Sequence, residues 1–243
     1  MENPLEIAAC RRFRRGRKYG WVLGLGAVFA LGFVWVTTAG ISPAESKWNL
    51  VALGVESGAA RNPLAGGALS LSSQGRGLEG EWDGGAFCYQ TVLETGAVTG
   101  RLSDPHGLGG SASRAGLMLR GNLRADAAQI FVGVGGDGKG YLGWRSEDGG
   151  VASIRETGMI LPTDWLRLAR EGGTVFAYRS SDGVVWDPIA GVDLGLDAAA
   201  FVGAVASSGD EQVAETAAFA ELELNRAFGH VRRTTTVDPG TSA

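Results

Sequence analysis

At 243 residues, 44% apolar, with 40 glycines against seven prolines, the chain has material for one large domain with many tight turns and lacks the triplet repeat of a collagen. Its net charge of −4 is split unevenly: residues 1–18 hold six Lys/Arg against two Glu, so the remainder is distinctly acidic. No basic patch with interleaved aromatics follows residue 18, which excludes a nucleic-acid partner. His106 and His230 stand alone and no cysteine cluster has metal spacing, which argues against a transition-metal centre.

Arg11, Arg12, Arg14, Arg15, Arg17 and Lys18 lead directly into an uncharged stretch over 19–44. A helix rises about 1.5 Å per residue, so roughly 20 such residues cross the hydrocarbon core of a bilayer. The stretch therefore predicts one N-terminal transmembrane helix, the chain's membrane partner. Basic residues favour the cytoplasmic side, so residues 1–18 are expected inside and the rest extracytoplasmic, in the periplasm or at the cell surface. A cleaved signal segment has the same basic start and is the rival reading, with small-residue sites near Ala39 and Ala44. Either way the domain is exported, tethered in the first case and secreted in the second. Cys10 and Cys88 flank this stretch, so no intramolecular disulfide is expected, and Cys88, in an apolar run, is expected to pack as a small hydrophobe.

Beyond Pro43 the pattern becomes short β-type runs. Alternation and turn signals predict strands over 48–53, 68–72, 86–92, 97–102, 114–120, 128–134 and 141–145. Further strands are predicted over 151–154, 165–169, 174–179, 184–189, 201–206 and 216–224. Gly-Asp clusters such as Gly135-Gly136-Asp137-Gly138 and Ser181-Asp182-Gly183 supply the turns between them. Spacing near ten residues without an amphipathic helix implies an all-β sandwich or barrel in a single domain, 46–226. The segment 227–243 is polar and Thr-rich and is expected to be a disordered tail.

Four runs in order carry a family resemblance: Gly116-Leu117-Met118-Leu119-Arg120, Trp165-Leu166-Arg167-Leu168, Tyr178-Arg179-Ser180-Ser181-Asp182-Gly183-Val184-Val185-Trp186, and Phe201 to Ser208. Over residues 46–226 the chain resembles the concanavalin A-like domains of the DUF1349 type, which are appended to many bacterial extracellular proteins. The resemblance implies a jelly-roll sandwich of two antiparallel sheets within a lectin/glucanase-like superfamily. It implies no activity of its own, since one fold hosts many functions; the company such domains keep favours glycan binding.

Catalysis finds little in the residues. Glu79, Glu81 and Asp83 form the dense carboxylate cluster, beside Trp82, and two carboxylates about 5–5.5 Å apart can run a retaining glycoside hydrolysis. The cluster lacks the Glu-x-Asp-x-x-Glu order of retaining glucanases in this superfamily, and glycines around it suggest a solvated turn. No cofactor is expected. Calcium is left open, because Asp137, Glu147, Asp148 and Asp182 are loop carboxylates without an ordered ligand spacing. A sugar-binding face needs exposed aromatics with a few polar groups to fix orientation. Strand parity makes Tyr89, Arg120, Tyr141 and Arg145 a candidate for such a face, against the strong rival reading of cross-strand pairs stabilising a solvated sheet. The expected function is thus a membrane-tethered, non-enzymatic sandwich binding a glycan or other surface ligand. The alternatives are a protein-interaction domain of an envelope complex and, behind it, a glycoside hydrolase.

Overall fold

The computed structural model of the chain describes residues 47–54, 58–104 and 107–226. The basic segment, the 19–44 stretch with its membrane expectation, Cys10, both histidines and the tail 227–243 lie outside the described residues. Among the described residues no helix is long and apolar enough to cross a membrane.

Among the described residues fourteen strands form: β1 (Asn49–Leu53), β2 (Ala59–Pro63), β3 (Leu69–Gly75), β4 (Gly85–Val92), β5 (Thr95–Asp104), β6 (Arg114–Arg120) and β7 (Gln129–Gly135). They continue with β8 (Lys139–Arg145), β9 (Ser153–Met159), β10 (Trp165–Glu171), β11 (Thr174–Ser180), β12 (Asp187–Asp193), β13 (Ala200–Ser207) and β14 (Asp210–Asn225). The first sheet runs β1-β4-β13-β6-β7-β8-β9 and the second β12-β11-β10-β5-β14-β3-β2, and every pairing is antiparallel. The expected all-β, two-sheet antiparallel sandwich is what forms.

The main core lies between the sheets. Cys88, Leu117, Leu119, Ile130, Val132, Val202 and Ala204 of the first sheet pack with Leu71, Val98, Leu166, Leu168, Val175 and Phe219 of the second. Full burial of the Val, Leu, Ile and Phe side chains among them contributes roughly 1.5–3 kcal/mol each before the entropy cost. In β10 the alternation is plain: Leu166 and Leu168 point into the core, and Trp165 and Arg167 stay half-buried on the outer face. Cys88 is buried, with its thiol pushed up by that burial.

Strands β6 and β7 are buried along their whole length, on both faces. Gly116 and Gly133 face each other there, and a Cβ on either would fall 2.1 Å from the carbonyl oxygen of Val132 or Ala115 respectively, so no larger residue fits. A second apolar cluster covers the outer face of the first sheet: Phe87, Met118, Phe131 and Val205, capped by Leu78. Leu78 belongs to the connection between β3 and β4, which crosses that face as a strap.

A bulge in β14 sets the outer face of the second sheet. Ala220 pairs with Arg101 and Glu223 with Thr99, so Glu221 and Leu222 together oppose Gly100. Glu221 takes φ +56°, an unusual conformation for a side-chain-bearing residue. The extra residue turns Leu222 toward the space above Gly100 and puts Glu223 on the outer face beside Thr99.

The structure departs from the sequence expectation at several strands, among them β14, which starts at Asp210 rather than at 216. β2 was not anticipated, since Ala-Ala-Arg-Asn-Pro has no apolar alternation; it is an edge strand, where a terminal Pro63 is tolerated. β9 begins two residues later than expected and reaches Met159. β12 covers 187–193 rather than 184–189, because the N–H groups of Val184 and Val185 are taken by the Asp182 carboxylate instead of a ladder.

Candidate functional site

Tyr89, Arg120, Tyr141 and Arg145 do share one face, the outer face of the first sheet, as their register shows. That face is not an open binding surface. Arg120 and Arg145 are 0% exposed and enclose the equally buried Asp83. Arg145 donates from Nη2 and Nη1 to the two Asp83 carboxylate oxygens at 2.9 and 3.2 Å, and Arg120 Nη1 lies 3.3 Å from Oδ2. The remaining guanidinium N–H groups hold loops: Arg145 binds the carbonyls of Gly80, Ala127 and Gly150, and Arg120 those of Asn122 and Arg124. These arginines therefore fasten the strap and its neighbouring loops to the sheet, and neither is open to solvent. Burial holds the Asp83 carboxyl above its ordinary range despite the two guanidiniums, and pulls Arg120 down to about 10.

The two tyrosines sit toward the margins of the strap. Tyr89 stacks on Phe87 at 5.5 Å and meets Phe201 edge-on at 5.4 Å. Tyr141 donates its hydroxyl to Asp137 at 2.7 Å and lies under the Arg114 guanidinium, whose carbon is 4.2 Å from the ring centroid. Both are half-buried. The four residues thus form a fastened interior patch with aromatic flanks, which corrects the expectation of a solvent-facing sugar site.

The carboxylates considered for catalysis are dispersed among structural tasks. Asp83 is sealed between arginines, Glu79 pairs with Arg114 at 2.6 Å, and Glu81 is exposed next to the Trp82 indole. The loop carboxylates considered for calcium are also drawn apart. Asp137 accepts from Tyr141 and the Lys139 N–H, Asp148 from Asn122 and the Ala128 N–H, and Asp182 from its own turn. Among the described residues no group of three or more His, Cys, Asp or Glu is placed to hold a metal ion.

A recess of about 680 Å³ lies on the outer face of the second sheet. Its floor is made of short side chains on β5, Ala97 and Thr99; Trp165, Arg167 and Trp186 flank it on one side and Glu223, Asn225 and Arg226 on the other. Register explains the grouping. Glu223, Thr99, Arg167 and Tyr178 form one cross-strand row, and Arg101, Trp165 and Ser180 form the next. Small residues between bulky rows leave a hollow, and the β14 bulge supplies its acidic wall.

Each tryptophan is fixed by a cation. The Arg167 guanidinium carbon lies 3.6 Å from the Trp186 ring centroid, and Arg101, paired with Glu221 at 2.7 Å, lies 5.3 Å from that of Trp165. Burial lowers Arg167 from its usual value. Trp165 also rests on the turn that carries Trp186: a Cβ at Gly183, φ +74°, would come within 2.9 Å of the indole. That turn is held by the Ser180 hydroxyl, which accepts the Gly183 N–H at 2.9 Å, and by Asp182 Oδ1, which accepts the Val184 and Val185 N–H groups at 2.8 and 2.9 Å. These bonds keep the Asp182 carboxyl below its ordinary range, the Val185 N–H contributing most. Two half-buried indoles on preformed supports, with a guanidinium, a carboxylate and a hydroxyl around a shallow hollow, can stack a flat apolar face and orient hydroxyl groups.

In the sequence, Trp165 and Trp186 belong to the runs that carry the family resemblance, and nothing there marks them as a site. The clue available was a pair of tryptophans on either side of a fixed hairpin. The missing part was the partner wall, which comes from β14 about forty residues downstream of Trp186.

No family model and no curated protein matches the chain. Among solved structures, a functionally unknown protein from Saccharomyces cerevisiae superposes with a TM-score of 0.58 at 18% identity, over 76% of this chain and 98% of that one. The GH43 BlXynB protein from Bacillus licheniformis is more distant, with a TM-score of 0.49 at 16% identity, over 72% of this chain and 37% of that one. An alginate lyase from Klebsiella pneumoniae gives 0.45 at 11% identity, over 68% and 84%. The yeast protein shares the fold, and the likeness extends to the fold alone.

Proposed function

We propose that this protein is a non-enzymatic sandwich of the concanavalin A-like, DUF1349 type that binds a glycan through the Trp165–Trp186 recess. It would be displayed outside the cytoplasmic membrane on its 19–44 segment. The observation that carries the reading is the recess itself: two half-buried indoles, each backed by an arginine, above a floor of small side chains. A pyranose stacks its C–H face on an indole while Thr99, Arg167, Glu223 and Asn225 offer donors and acceptors to its hydroxyls. The dispersal of Glu79, Glu81 and Asp83 supports binding without turnover.

Affinity electrophoresis of the full-length protein through gels containing soluble polysaccharides tests the proposal. At least one polysaccharide is expected to retard the protein, and Trp165→Ala or Trp186→Ala is expected to weaken that retardation about tenfold, the equivalent of about 1.4 kcal/mol. Undiminished binding in a Trp165→Ala/Trp186→Ala variant, or no retardation by any polysaccharide, would sink it. Val184 and Val185, 78% and 67% exposed at the turn tip, favour a second reading as a protein-docking domain of an envelope complex. In that case Val184→Ser/Val185→Ser would release a partner protein while polysaccharide binding stays absent.

A further inference from the structure

The two sheets end on the same side of the sandwich, with β9 at the edge of the first and β12 at the edge of the second. Between these edges lies a cleft of about 440 Å³, bordered by β12 and separate from the tryptophan recess, which is bordered by the turn before β12 at Gly183 and Trp186. Ile160 forms an apolar base, and Ile189 and Pro188 form a wall. The charged lining holds two arginines, Arg155 and Arg179, and two carboxylates, Glu156 and Asp187. Arg155 donates to the Ile189 carbonyl at 3.4 Å, and Arg179 to the Met159 carbonyl at 2.8 Å, so each guanidinium is pinned across the gap by one bond. A guanidinium has five N–H groups, so most donors of both remain available.

Among the described residues neither Arg155 nor Arg179 forms an ion pair. Asp187 pairs with Arg179 across the ladder but does not come within ion-pair reach. Glu156, the other carboxylate of the cleft, is occupied by Lys139 at 2.8 Å. Thr157 also lines the cleft.

We infer that this cleft is a binding site for a monoanionic oxyanion, a carboxylate or a sulfate ester, on a ligand of about monosaccharide size. Two arginine forks with unused N–H groups match the oxygens of such a group. The charge balance selects a single negative charge: Arg155 and Arg179 against Asp187 leave one positive charge, since Lys139 and Glu156 cancel. The volume falls within the usual range of small-molecule pockets, roughly 300–1,000 Å³, and Ile189 and Pro188 offer an apolar wall to the ligand's carbon skeleton.

Calorimetric titration of the full-length protein with D-glucuronate, glucose 6-sulfate, inorganic phosphate at pH 8 and neutral glucose tests this. Saturable binding of glucuronate or of the sulfate ester is expected, with phosphate and glucose at least tenfold weaker; the stronger of the first two identifies the ligand's acidic group. Arg155→Gln, an exposed edge-strand change, should weaken that binding at least fivefold, and Arg155→Gln/Arg179→Gln should abolish it. The site is independent of the proposed glycan recess, so Trp165→Ala/Trp186→Ala should leave anion binding intact even if polysaccharide binding is lost or never found. The inference is overturned if neither anion binds saturably, if glucose or phosphate binds as well, or if Arg155→Gln changes nothing.

Discussion

Replacing Asp83 by Asn tests the role of the buried ion cluster most directly, because it deletes a charge and leaves the shape. Asp83, Arg120 and Arg145 are all 0% exposed, and three guanidinium–carboxylate contacts of 2.9, 3.2 and 3.3 Å converge on the one carboxylate. Without it two cations remain enclosed where one net positive charge stood before. Breaking a buried pair by removing one partner costs about 3–5 kcal/mol. Arg145 keeps the Gly80, Ala127 and Gly150 carbonyls and Arg120 keeps that of Asn122, so both guanidiniums retain partial solvation. The expected loss is therefore at the low end, about 3 kcal/mol. For a domain of this size that lowers Tm by roughly 6–12 °C, at about 2–4 °C per kcal/mol. Equilibrium urea unfolding with an unchanged m-value measures it, alongside Asp83→Leu/Arg120→Met/Arg145→Met, which removes all three charges and should recover much of the loss. A cost below about 1 kcal/mol for Asp83→Asn would refute the view that this carboxylate holds the strap.

Further expectations concern the strap and the turn beneath Trp186. Leu78→Ala removes the cap over Phe87, Met118 and Phe131 and should cost about 2–5 kcal/mol in urea unfolding; a loss under about 1 kcal/mol would mean that the outer cluster is not a second core. The Asp182 carboxyl should titrate below the ordinary 3.8, because its charged form accepts the Val184 and Val185 N–H groups. A depressed folded value means that the turn's support is complete above 3.8 and is lost as pH falls through the lower folded value. An acid titration of the Val184 and Val185 amide shifts reads this, and a midpoint at or above 3.8 would contradict it.

Local pattern was enough for most of the sheet. β6 was expected over 114–120 and runs over those residues, because Ala-Gly-Leu-Met-Leu between two arginines satisfies a strand on either face. Period-two parity also put Tyr89, Arg120, Tyr141 and Arg145 on one side, since successive side chains must alternate whatever surrounds them. Parity cannot say what covers a face. Asp83 read as part of a solvated, glycine-rich turn, and only the path of the chain over the sheet shows it pairing with two arginines that are far away in sequence. The tryptophan recess divides in the same way. Trp165, Asp182 and Trp186 were legible as a hairpin, while its opposite wall depends on the β14 bulge at Glu221 that turns Glu223 outward. Strand identity follows from side-chain alternation within a few residues. Burial, and hence which residues can meet a ligand, follows from loop paths and strand neighbours that no local window contains.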